Sequence, residues 1–252
     1  MDLPLHENDL HAEAIIEPSR LFAENGAPRT AVMCFFGEVV RAAQGEPHAV
    51  LKTSPGGWPL FTTERAGQRI GYFYPGLGAP AVVNCLEEVI AMGCRDIVAV
   101  GAGGALVPEL AMGDAIVVDS AVRDEGTSFH YLPPARTVDA DPVATSAVEQ
   151  ALAEAGTPFV RGRSWTTDAF FRETLSRLQR RVAEGCLTVE MEAAALFAVG
   201  RYRGVRVALL LYAGDSLAGE TWEHRRWMGA TDVRARFFTH ALDAAARLQG
   251  AP

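Results

Sequence analysis

Four consecutive residues, Val189-Glu190-Met191-Glu192, set two carboxylates around a methionine at the mouth of an apolar run, Ala193-Ala194-Ala195-Leu196-Phe197-Ala198-Val199. The run reads as a buried helix. A carboxylate at the lip of such a helix is costly unless something pairs with it. The partner is either structural or a ligand. The vicinal hydroxyls of a sugar suit the second case, because one ionised carboxylate accepts from both. For Glu190 a plainer role competes: a carboxylate at a helix N-terminus, satisfying free N–H groups.

A second candidate is the glycine cluster Gly101-Ala102-Gly103-Gly104, which follows the short apolar run Asp96–Val100. It fails as a dinucleotide fingerprint, since the third glycine position is Leu106 and Pro108 interrupts any helix. Read as a turn, it lets backbone N–H groups at Gly101 and Gly103 approach a ligand closely. Cys34, Cys85, Cys94 and Cys186 form no C-x-x-C pair and read as core thiols in a reducing cytosol. The six histidines show no H-x-x-x-H spacing, so no metal site is expected.

Positioning these groups requires a scaffold. Residues 30–36, 69–74, 96–100, 115–119 and 205–211 read as strands. Residues 80–92, 142–155, 172–184, 192–202 and 231–248 read as helices, the last on the surface. Strands alternating with helices give an α/β class with a largely parallel or mixed sheet. No repeat or linker divides the chain, so residues 1–252 are expected to form one domain. Ligands in such sheets sit beyond the carboxyl ends of strands, which makes the Pro75–Gly78 turn, the glycine cluster and Asp215 neighbours.

The order of segments resembles the nucleoside phosphorylase-I family: hexameric-type purine nucleoside phosphorylases, uridine phosphorylases and related nucleosidases. The segments are Gly76-Leu77-Gly78-Ala79-Pro80, Val100 to Leu106, Met112-Gly113-Asp114, Arg123 to Tyr131, Thr166 to Phe171, the Glu-Met-Glu run and Ala213-Gly214-Asp215. The resemblance covers about residues 65–245. It implies one α/β domain around a mixed, barrel-like sheet, assembled as a dimer, trimer or hexamer. It implies cleavage of the N-glycosidic bond of a ribonucleoside through an oxocarbenium-like transition state. Glu192 would grip the ribose hydroxyls, with Glu190 assisting and Met191 packing on the sugar. Asp215 would protonate N7 of a leaving purine, helped by Arg225, or by Arg226 in its stead. Phe170 would stack on the base. Gly126 to Tyr131 looks more like the uridine enzymes. Asp215 favours purine over uridine, because its role is chemically defined.

The implied phosphate site departs from the family pattern. Ile16-Glu17-Pro18-Ser19-Arg20 stands where a Gly-Asp-Pro-x-Arg loop is expected, leaving Arg20 as its arginine. Ala99 and Ala102 stand where the family carries an arginine and a hydroxyl, and Lys52 is a substitute for a neighbouring subunit's arginine. Oxyanions usually want bidentate arginine contacts. Three functions follow in order: phosphorolysis with inorganic phosphate as co-substrate and no cofactor; hydrolysis, with a carboxylate such as Glu17 activating water; and nucleoside binding without catalysis. His6 and His11 are candidates to reach a neighbour's ribose, and His130 is a loop candidate.

The bulk properties narrow the partners. A formal net charge of −8 gives no basic face for nucleic acid. No apolar run is long enough to span a bilayer, and the first residues lack the pattern of a signal peptide. The expectation is a cytoplasmic homo-oligomer that meets a small nucleoside, with no nucleic-acid or membrane partner.

Overall fold

The computed structural model describes residues 4–7, 9–43, 45–54 and 56–248. Ten strands form one mixed sheet: β1 (Thr30–Cys34), β2 (Glu46–Val50), β3 (Pro59–Arg65), β4 (Gln68–Phe73), β5 (Asp96–Ala105), β6 (Ala115–Asp124), β7 (Thr137–Asp139), β8 (Phe159–Thr167), β9 (Cys186–Glu190) and β10 (Arg206–Ser216). Five of them close on themselves. β5 pairs with β10, β10 with β6, β6 with β8, β8 with β9, and β9 returns to β5. β1, β4, β3 and β2 extend outward from the other stretch of β5. The expected α/β class and barrel-like mixed sheet are both present.

Among the described residues, seven helices surround the sheet: α1 (Pro18–Leu21), α2 (Gly37–Ala42), α3 (Ala79–Ala91), α4 (Pro142–Glu154), α5 (Leu175–Ala183), α6 (Ala193–Arg203) and α7 (Thr231–Leu248). Residues 193–200 of α6 are buried all round, as an apolar helix without a polar face must be. Each buried leucine or phenylalanine there contributes about 1.5–3 kcal/mol, which offsets the cost of the carboxylates at its mouth. α7 has the expected bounds but is more than a surface helix. Phe237, Ala241, Ala244, Ala245 and Leu248 are fully buried, so one face belongs to the core. The helix expected from Arg172 begins only at Leu175, because Phe170–Arg172 forms a 3-10 turn.

The glycine cluster is not a turn. Gly101 to Ala105 continue β5 without a break. β5 exchanges partners along this stretch: β1 lies beside Asp96–Val100, and β9 takes over at Gly104–Ala105. The close approach of β9 is what demands glycine. A Cβ on Gly103 would stand 2.2 Å from the Thr188 hydroxyl oxygen. Where β1 leaves and β9 arrives, a cleft opens beside Gly101 and Ala102.

Candidate active site

Glu190 and Glu192 stand two residues apart but do different work. The Glu190 carboxylate is enclosed by four protein donors: the Ser164 hydroxyl (2.9 Å), the Thr166 hydroxyl (2.7 Å), and the N–H groups of Glu192 and Ala193 (both 2.6 Å). The Thr166 oxygen also accepts from the Ala194 N–H at 2.9 Å. Together they satisfy the opening N–H groups of α6, which would otherwise be buried without partners. The helix-terminal role weighed for Glu190 is therefore the one its geometry supports. It anchors the segment, with little capacity left for a sugar.

Glu192 retains that capacity. One carboxylate oxygen accepts the Gly78 N–H at 2.6 Å and the other the Met191 N–H at 3.2 Å. Each oxygen has a second lone pair, enough for two hydroxyls. Gly78 presents its N–H from φ +88°, a conformation that side chains disfavour. Burial, and then the charge of Glu190, push the Glu192 carboxyl up to about 8. Burial also pushes Glu190 upward. Met191 is half-buried between them.

Glu192 lines a cavity of about 440 Å³ together with Glu190, Gly101, Ala102, Phe35, Phe36, Trp227 and Arg234. Among the described residues lining it, Arg234 is the one cation. It reaches the cavity from the first turn of α7, between the rings of Phe36 and Trp227. Its guanidinium donates to Glu38 (2.6 Å), the Tyr212 hydroxyl (3.2 Å) and the Trp227 carbonyl (3.4 Å). Three of five N–H groups are thus engaged.

Asp215 sits near the end of β10, where the pairing with β5 shifts register between Ala213 and Ser216. Such irregularities re-aim side chains. A Cβ on Gly104 would lie 3.5 Å from one Asp215 oxygen, so the carboxylate hangs over the glycine stretch of β5. Its other oxygen accepts the Trp222 indole N–H at 2.6 Å. Phe170 is 44% exposed in its 3-10 turn, edge-on to Phe171. A core role is excluded.

Several expected residues lie elsewhere. Arg225 does not meet Asp215: it donates to the Leu110 carbonyl at 2.8 Å and to Glu223 at 3.2 Å, and the Trp222 indole holds the place assigned to it. Arg226 has φ +53° and caps the 3-10 turn Trp227–Gly229. Arg20 is exposed, paired with Glu13 and absent from the cavity lining. Glu17 is paired with Arg203 at 2.7 Å, so it activates no water in this cavity. The segment that follows β1 at the cavity is Phe35-Phe36, not residues 16–20. Gly101 lines the cavity, whereas Gly103 packs on β9. Lys52 is exposed, its backbone N–H held by buried Glu88 at 2.8 Å. His6 lies against Phe129, and His11 and His130 are exposed; none lines the cavity. The four cysteines are buried and unpaired, and burial pushes their thiols up to about 11 to 12.

Sequence reasoning missed Arg234 at the cavity and Trp222 on Asp215. Only Arg234 carried a signal, as an arginine near the start of an amphipathic helix whose apolar face enters the core.

The model of the phosphorylase superfamily matches residues 29–247. A uridine phosphorylase of Treponema pallidum is 28% identical over 182 residues, 68% of each chain. A guanosine phosphorylase of Halorubrum lacusprofundi is 28% identical over 220 residues, 86% of this chain and 84% of that one. The crystal structure of a uridine phosphorylase from Vibrio fischeri superposes with a TM-score of 0.74 at 23% identity, covering 92% of this chain and 97% of that one. With its closed mixed barrel and its match over most of its length, the chain belongs to the phosphorylase superfamily, as an enzyme of the nucleoside phosphorylase kind.

Proposed function

We propose that this enzyme cleaves purine ribonucleosides by phosphorolysis, giving the free base and ribose 1-phosphate. The observation that carries the reading is one cavity holding both Glu192, with two oxygens able to take further donors, and Arg234, beside the backbone of Gly101 and Ala102. Glu192 grips the vicinal ribose hydroxyls. As the C1′–N9 bond stretches, positive charge grows on the sugar, and a nearby carboxylate stabilises charge that exists only in the transition state. Phosphate enters on the Gly101–Ala102 side, where the guanidinium of Arg234 offers its remaining N–H groups. An oxygen of phosphate then bonds to C1′ as the bond to the base breaks. Phe170 offers its face to the base, and Asp215 stands at the base end of the same glycine stretch.

One consideration favours purine over uracil: an anionic purine is a poor leaving group, and Asp215 marks an acidic end for it. The hydrolytic alternative loses its candidate base, since Glu17 is engaged by Arg203 away from the cavity. The reading includes a homo-oligomer, supported by the exposed Ile15, Ile16 and Leu21 beside Tyr131 and Tyr202. The test is base release from inosine, guanosine, adenosine and uridine, with and without phosphate. Strict phosphate dependence with faster purine release is expected. Equal rates without phosphate overturn phosphorolysis, and faster uridine cleavage overturns the base assignment.

A further inference from the structure

Tyr212 of β10 pairs in register with Ala102 of β5, which lines the cavity. The tyrosine is fully buried, its ring packed against Phe36 (centroids 5.7 Å apart) and Phe237 (5.5 Å). A phenol sunk in a core must find a partner for its hydroxyl. This hydroxyl donates to the Trp227 carbonyl and accepts from the Arg234 Nε–H, both at 3.2 Å. The Arg234 Nη2 reaches the same carbonyl at 3.4 Å. Hydroxyl, carbonyl and guanidinium thus close a triangle. Two of its three residues, Arg234 and Trp227, line the cavity.

The triangle constrains which N–H groups the guanidinium can offer. Nε has a single N–H, given to Tyr212; Nη1 gives one to Glu38 at 2.6 Å, and Nη2 gives one to Trp227. One N–H on each terminal nitrogen remains, a pair that a single oxyanion can accept together. The guanidinium carbon lies 5.2 Å from the Phe36 ring centre and 5.5 Å from that of Trp227. Glu38 is the looser tether. Its side chain is 44% exposed, and exposed ion pairs hold geometry weakly. The Tyr212 hydroxyl lacks that freedom, because aromatic packing fixes its ring. We infer that Tyr212 is a positioning residue of the oxyanion subsite: its hydroxyl, held by the Trp227 carbonyl, aims Arg234 at phosphate. The inference rests on the phosphorolytic reading of the cleft and adds to it a residue that touches no substrate. A long arginine side chain ordinarily loses rotamer freedom when it grips an anion. Here the fold has already ordered it, so phosphate meets a guanidinium set in place.

Calorimetry of inorganic phosphate, and separately of inosine in phosphate-free buffer, tests the assignment. The proteins are wild type, Tyr212→Phe, Arg234→Met and the double variant. Phenylalanine keeps the ring and its packing and removes only the hydroxyl. Tyr212→Phe should bind phosphate about three- to tenfold more weakly and inosine within about twofold of wild type. The retained inosine affinity also reports that the variant is folded. Arg234→Met should lose at least about tenfold in phosphate affinity. Adding Tyr212→Phe to it should cost nothing more, since no guanidinium is left to aim. Equal weakening of phosphate and inosine marks a merely structural tyrosine and overturns the inference. So does an unchanged phosphate affinity in Tyr212→Phe, or a further loss in the double variant. A wild type that binds inosine but no phosphate overturns the phosphorolytic reading, and the inference with it.

Discussion

Replacing Glu192 by glutamine should separate stability from function. In the free protein this carboxyl titrates near 8, against an ordinary 4.5. Below the ordinary value the folded and unfolded chains both hold the proton, and no pH dependence arises. Between about 4.5 and 8 the folded chain holds a proton that the unfolded chain has released, so stability falls as pH rises. The loss is on the order of a few kcal/mol by the time pH passes the folded value. Glutamine keeps a carbonyl for the Gly78 N–H but turns an amide N–H₂ toward the Met191 N–H, a mismatch costing about 1 kcal/mol. Urea unfolding at pH 5 and at pH 9 is the assay. The variant should be level with wild type or slightly weaker at pH 5, and more stable by several kcal/mol at pH 9. Its kcat/KM should fall about 10²- to 10³-fold. A stability difference independent of pH, together with retained turnover, refutes the account of Glu192 as a buried carboxyl held for the sugar.

Arg234→Met should raise the phosphate KM at least tenfold and leave the nucleoside KM nearly unchanged, because its side chain is the one cation among the described residues lining the cavity; steady-state kinetics in both substrates decides it. Gly103→Ala should destabilise the fold by about 1–3 kcal/mol, since the new methyl meets the Thr188 hydroxyl at 2.2 Å; a thermal midpoint equal to wild type would count against the β5–β9 packing. Binding of a non-cleavable nucleoside at pH 7 should release close to one proton, because two hydroxyl donors pull Glu192 from its neutral to its ionised form. Calorimetry in two buffers of different ionisation enthalpy reads that number directly.

The carboxylate pair at the mouth of α6 was legible because it is local. Two carboxylates two residues apart, followed by an apolar helix, state their own conflict with burial. Their division of labour was not legible, because the donors around Glu190 come from Ser164 and Thr166 on β8, a strand with few unbroken apolar residues. The helices 142–154 and 231–248 emerged close to their expected bounds, as long periodic segments should. The glycine cluster misled for a physical reason. Glycine marks a turn and a close approach of two backbones alike, and only the Thr188 hydroxyl above Gly103 tells them apart. The cation of the cavity was not legible, for want of locality. Residues 16–20 resemble a loop arginine by spacing, whereas the chain brings Arg234 to the cavity across the whole barrel.

The proposed ribose role sets a demand on pH. A Glu192 that holds two hydroxyls and a growing cation must be ionised, yet in the free protein burial and the charge of Glu190 push this carboxyl up to about 8. The hydroxyls of a bound ribose donate to the carboxylate and so lower it toward the ordinary carboxylate range. On this reading the sugar prepares the carboxylate that stabilises it, and the acid limb belongs to the free enzyme more than to the complex. It follows that kcat should hold its plateau to lower pH than kcat/KM does; acid limbs that coincide in the two profiles would refute the coupling between ribose and Glu192.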